Sequence, residues 1–143
     1  KVTGAIFVDR FMATPMFYPC NYGYVNETLA EDGDPVDVLV LTPYPVLSGA
    51  VLPARPVAVL RMEDEAGDDA KLLAVPPDRV CTEFAGIRGA ADVPGHLLQR
   101  IEHFFQHYKD LEPGKWVKLR GWGDAEEARQ VVVDSIERHK DAQ

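Results

Sequence analysis

The chain of 143 residues is expected to be mainly β with added helices: a small closed β-barrel with two helices in its C-terminal half. Two observations predict this. Short apolar runs separated by Gly and Pro fill the first half of the chain, as short strands joined by tight turns would. Beyond residue 90, two stretches carry apolar residues at three-four spacing, the period of a helix with one buried face. The length suits one domain with a proper core.

Lys1 to Arg10 is expected as a strand, with Ile6 and Val8 on one side and Phe7 on the other. Phe11 to Tyr24 is unusually aromatic. Phe17 and Tyr24 are expected to plug the end of the barrel. Tyr18 and Tyr22 carry hydroxyls that need partners if buried, and those hydroxyls equally suit a phosphate.

Asp32-Gly33-Asp34-Pro35-Val36-Asp37 comes next, three carboxylates within six residues, followed at once by the apolar run Val38 to Leu41. The run reads as a buried strand, so the aspartates sit on a tight turn at its mouth. Gly33 permits backbone angles that other residues avoid, and Pro35 fixes its own φ. Three like charges this close are stable when solvated or when a cation sits among them. Hard divalent cations prefer such oxygen ligands, with water completing the shell. A solvated acidic turn is the plain alternative. A calcium EF-hand loop fails on spacing: counted from Asp32, its sixth position is Asp37 instead of Gly and its twelfth is Pro43 instead of Glu.

Ala50 to Met62 reads as one or two strands, with Pro53 and Pro56 marking an edge or a bend. A second acidic cluster, Glu63 to Asp69 closed by Lys71, bridges this run to Leu72–Val75 and reads as a hairpin loop. In a small barrel two such loops can converge, and carboxylates from both then hold more than one metal ion.

Asp92 is expected to cap a helix from about Pro94 to Lys109, with Leu97, Leu98, Ile101, Phe104, Phe105 and Tyr108 along its apolar face. His103 and His107 share the i, i+4 spacing of a zinc pair. Phe104 stands where a zinc protease would carry Glu, so they read as exposed or as part of a subunit contact. Lys109 suits a helix C-terminus on charge alone. Lys115 to Arg120 is the last strand. Asp124 caps the final helix, with Glu127 completing a capping box and Ala128, Val131, Val132, Ser135 and Ile136 facing inward.

Composition narrows the functions. Lys plus Arg number 15 against 23 Asp plus Glu, a net charge of −8, which argues against nonspecific nucleic-acid binding. An anionic substrate stays open, since bound metal ions reverse the local sign. Cys20 and Cys81 read as reduced thiols. No apolar run is long enough to span a membrane. The chain opens at Lys1 without a Met, so the lack of a visible targeting segment carries little weight.

The stretch Asp32 to Val40 closely resembles the signature of the soluble family I inorganic pyrophosphatases. Gly4 to Phe11, Phe17 to Tyr24, Met62 to Lys71 and His107 to Glu112 resemble the bacterial members in the same order, so the resemblance spans nearly the whole chain. It implies one pyrophosphatase domain over 1–143, an OB-type closed barrel, and hydrolysis of pyrophosphate to two orthophosphates with several Mg²⁺ ions. Mn²⁺ and Zn²⁺ are possible substitutes. It also implies a homohexamer in the cytoplasm.

Carried over by position, the resemblance implies that Asp32, Asp37 and Asp69 bind the metal pair that activates water. Asp64, with Asp69, binds a further Mg²⁺ that arrives with substrate. Asp34 is the general base. Arg10, Tyr22, Tyr108 and Lys109 grip the phosphates, and Tyr18 and Lys71 line the same substrate site. The family carries a further N-terminal segment ahead of the position of Lys1, with a phosphate-contacting Lys and Glu residues near the metals, and the sequence as given begins after that position. Two other classes compete. A noncatalytic OB-fold binding module would present a basic groove with exposed aromatics, against which the two acidic clusters argue. An acidic metal-storage or assembly protein has no need of Arg10, Asp34 and Lys109.

Overall fold

The structure is a computed structural model that describes residues 4–143. Five strands form one mixed sheet: β1 (Asn21–Tyr24), β2 (Asp37–Val40), β3 (Arg55–Asp64), β4 (Gly67–Val75) and β5 (Val117–Gly123). Their spatial order is β1-β2-β4-β3-β5. β2 and β4 run parallel, with Val38 opposite Leu72, and the other neighbours are antiparallel. Among the described residues two α-helices, α1 (Gly95–His107) and α2 (Ala125–Asp141), and one 3-10 turn (Ala90–Asp92) complete the fold.

Both faces of the sheet are buried along Val38–Val40 of β2 and Leu72–Val75 of β4, which is why these parts of the strands read as unbroken apolar runs. Alternate residues serve two cores. Leu39, Leu60, Met62 and Leu73 pack with Ile101, Phe104 and Phe105 of α1. Val38, Val40, Val59 and Leu72 pack with Ala128 of α2. The bend expected at Pro56 is a register shift between Pro56 and Ala58 in the β3–β4 pairing.

The mainly β fold with two helices agrees with expectation; among the described residues hydrogen bonds do not close the sheet into a barrel, and β1 and β5 stand at its edges. Nor do the described residues of the N-terminal stretch form a strand. Residues 1–3 of the expected element lie outside the described residues. Gly4 to Arg10 lies outside the five strands, and Ile6, Phe7 and Val8 are exposed.

Phe17 and Tyr24 do not plug the fold. Both are exposed, Phe17 at 89%. The inward positions of that stretch go to Met12, Met16, Cys20 and Tyr22, which pack against the α1 core. Asp92 does not cap α1 either; Pro94 holds that place. The Asp92 carboxylate instead accepts from the amides of Arg88 and Gly89 and closes the preceding 3-10 turn. Asp124 does cap α2, accepting from the Glu127 amide. The Glu127 carboxylate turns away to Arg61, 3.1 Å off, so only half of the expected capping box forms. β5 runs on through Gly121-Trp122-Gly123, three residues past the expected strand, because Trp122 pairs with Leu60 and donates to Glu102 of α1. Cys20 and Cys81 are free thiols, as expected.

Candidate active site

Each acidic cluster folds for a local reason. On the first turn Gly33 adopts φ +91°, open to glycine at little cost. Its amide donates to Ala30 O at 3.1 Å, and the Asp34 amide donates to Asp32 Oδ1 at 3.0 Å. This turn ends at Asp37, the first residue of β2. The second cluster is a two-residue hairpin: Asp64 pairs with Gly67, at φ +120°, and Asp64 Oδ1 accepts from the Ala66 amide at 2.9 Å. Because β2 and β4 are adjacent and parallel, the turn before β2 and the start of β4 lie at the same end of the sheet.

At that end two lysines are held among the carboxylates. Lys71 Nζ lies 2.5 Å from Asp37 Oδ2, 3.0 Å from Asp69 Oδ2 and 3.4 Å from the Tyr22 hydroxyl, and its side chain is only 5% exposed. Burial pulls the Lys71 pKa down, but Asp69 and Asp37 outweigh it and the net shift is upward. Burial pushes the Asp69 carboxyl up, with Lys71 acting against the rise. Lys109 Nζ sits 2.8 Å from Asp64 Oδ2 and 3.5 Å from Glu65 Oε1. Burial lowers its pKa less than the hydrogen bond to Asp64 and neighbouring charges raise it.

Three tyrosines flank the lysines. Tyr18 and Tyr22 stack with ring centroids 4.3 Å apart, Tyr18 leans on Phe104, and Tyr108 stacks on Phe104 at 5.3 Å. Burial first, then neighbouring carboxylates or phenols, raises all three phenol pKa values, so at neutral pH they are neutral hydrogen-bond donors. Arg10 is exposed, 3.6 Å from Glu112.

A cavity of about 360 Å³ opens beside this cluster, and Asp32, Asp37, Asp68 and Asp69 line it. The structure thus joins Asp37, Asp69, Lys71, Tyr22 and Tyr18 through direct contacts, links Tyr108 to Tyr18 through Phe104, pairs Asp64 with Lys109, and sets Asp32 on a cavity that Asp37 and Asp69 also line. Asp34 stays exposed on its turn. Glu65 escaped the sequence reading. It holds Lys109 and, at 3.1 Å, Lys115. Its place inside the second acidic cluster was the available signal.

Among the described residues no three carboxylate, imidazole or thiol side chains close around a single point. Two do, however: Asp37 and Asp69 both reach the Lys71 ammonium, which marks a position already suited to a cation. Mg²⁺ keeps several waters and is commonly held by one or two carboxylates, so this donor set fits it. Lys71 would have to give up part of its hold as the ion enters.

The same fold occurs in solved enzymes. An inorganic pyrophosphatase structure from Coxiella burnetii matches with a TM-score of 0.92 and 52% identity, covering 97% of this chain and 83% of that one. A structure from Anaplasma phagocytophilum described as an inorganic phosphatase matches with a TM-score of 0.93 and 48% identity over 98% of this chain and 82% of that one. In sequence, the inorganic pyrophosphatase of Escherichia coli K12 is 60% identical over 140 residues, 98% of this chain and 80% of that protein. The family model described as inorganic pyrophosphatase matches residues 1–140, and the chain belongs to that family.

Proposed function

We propose that the chain hydrolyses inorganic pyrophosphate to two orthophosphates, using Mg²⁺ held by Asp32, Asp37, Asp64 and Asp69. The observation that carries this reading is the buried Lys71, shared by Asp37 and Asp69 and touching Tyr22. It sets cation-binding carboxylates against anion-binding donors within one cluster. Divalent ions in such a site lower the pKa of a water and shield the phosphoryl oxygens.

The chain's own residues do the rest. Lys71 and Lys109, freed from part of their pairing, neutralise charge on the phosphates. Arg10 offers a planar fork to a terminal phosphate. Tyr18, Tyr22 and Tyr108 donate neutral hydrogen bonds and fix the substrate for in-line attack. Asp34 takes the proton of the attacking water; its exposure on the turn leaves it free to do so. Mn²⁺ and Zn²⁺ share enough of this coordination chemistry to substitute. The chain acts as a homohexamer in this reading, and the exposed Ile6, Phe7, Val8 and Phe11 are large apolar side chains that another copy could cover. No helix of the described residues is long and apolar enough to cross a membrane, which is compatible with a cytoplasmic enzyme.

A substrate panel tests the reading. With Mg²⁺ present, orthophosphate release from pyrophosphate is expected to exceed release from ATP or a phosphate monoester by at least about 100-fold, because the clamp is built for two small phosphates. Equal rates on all three would contradict it.

A further inference from the structure

The loop that carries Asp32 and Asp34 is tied to a helix far away in sequence. Its base is closed on itself. Buried Thr28 donates to Val25 O at 2.6 Å and accepts from the Val36 amide at 3.1 Å, and the Val25 amide donates to Val36 O at 2.9 Å. Its tip is held from within by the Ala30 amide on Asp34 O at 2.7 Å. Between base and tip, Leu29 binds α2 through both of its backbone groups. Its amide donates to Ser135 O at 3.0 Å, and its carbonyl accepts from Arg138 Nη1 at 2.6 Å. Arg138 Nη2 also lies 3.9 Å from Glu31 Oε1, one residue before Asp32. The same half of α2, with Val131, Ser135 and Arg138, walls the cavity that Asp32, Asp37 and Asp69 line.

We propose that Arg138 is a positioning residue for the metal site: it holds the Asp32–Asp34 turn in its binding geometry before an ion arrives. A loop carrying three aspartates repels itself and spreads unless something fixes it. The guanidinium fixes it at Leu29, three residues before Asp32, and adds a positive charge beside Glu31. Groups that orient ligands in this way typically change metal affinity 10- to 100-fold when removed. The inference rests on the proposed metal-dependent function, since it assigns Arg138 a part in that site.

The test uses the whole chain as Arg138→Ala, Arg138→Lys and wild type. Mg²⁺ affinity is measured by calorimetry without substrate, and exchange of the Ala30 amide is followed in metal-free protein. Arg138→Ala is expected to bind Mg²⁺ about tenfold more weakly and to exchange Ala30 about tenfold faster. Arg138→Lys, which keeps one donor and the charge, is expected to recover part of both. At saturating Mg²⁺ the Ala variant is expected to regain most of its kcat, because the ligands themselves are intact. Arg138 is partly exposed, so the variant is expected to fold; Arg138→Gln serves in its place if it does not. Mg²⁺ affinity and Ala30 exchange within twofold of wild type would overturn the inference, as would a lower melting temperature with unchanged Mg²⁺ affinity. Both leave the proposed function standing. If the wild type itself binds no Mg²⁺, the proposed function falls and the inference with it.

Discussion

Asp37→Asn is expected to lose about 10³-fold in turnover, roughly 4 kcal/mol of transition-state stabilisation, while the fold persists. Asp37 begins β2 and is one of the two carboxylates that meet at the Lys71 ammonium. An amide in its place keeps the shape and leaves an oxygen to accept from Lys71. What it loses is the negative charge that would draw a divalent ion into place. Orthophosphate release at saturating Mg²⁺, with circular dichroism as a check on folding, measures this. Wild-type turnover from the variant at matched purity would remove Asp37 from the metal site.

Lys71→Met is expected to destabilise the metal-free protein by about 3 kcal/mol, the low end for removing one partner of a buried charge cluster because Asp37 keeps some solvent. It leaves Asp37 and Asp69 facing one another with no cation between them. The loss depends on pH in a definite direction. Burial already holds the Asp69 carboxyl above its ordinary value of 3.8, and without Lys71 it rises further. A carboxyl that binds its proton more tightly in the folded state adds stability below the unfolded value, and that contribution disappears as pH rises through the folded value. The variant is therefore expected to be more stable, relative to wild type, near pH 4 than near pH 8. Mg²⁺ is expected to restore much of the loss at pH 8, since an ion that binds only the folded chain stabilises it. Urea melts at both pH values, with and without Mg²⁺, decide this. Equal stability of variant and wild type in metal-free buffer at pH 8 would mean that Lys71 does not hold the two carboxylates together.

The parts of the molecule legible in the sequence were those set by neighbours in the chain. Gly33 and Pro35 shape the first acidic turn within six residues, and the hairpin after Asp64 needs only its own Gly67. The helix α1 (Gly95–His107) shows its apolar face by period alone, though it ends two residues before the expected Lys109. The misreadings concern choices made at a distance. Gly4 to Arg10 reads as a strand by residue type, yet a strand is made by pairing with another edge, and this stretch lies outside the five paired strands of the described residues. Asp92 suits a helix cap by type, but the amides nearest its carboxylate are those of Arg88 and Gly89. Phe17 is hydrophobic enough for a core that Met12, Met16 and Tyr22 already fill from the same stretch. The pairings of Lys71 with Asp37 and of Lys109 with Asp64 and Glu65 join segments far apart in the chain, as does the strut from Arg138 to Leu29. Nothing in local spacing announces them, and residue type alone marks Glu65 as one more surface acid.

Orthophosphate release from pyrophosphate, with Mg²⁺ and then with excess chelator, tests the central claim most directly. Rapid release that the chelator abolishes and fresh Mg²⁺ restores is the predicted result. Release that continues undiminished in chelator, or no release at any Mg²⁺ concentration from the folded chain, would contradict it.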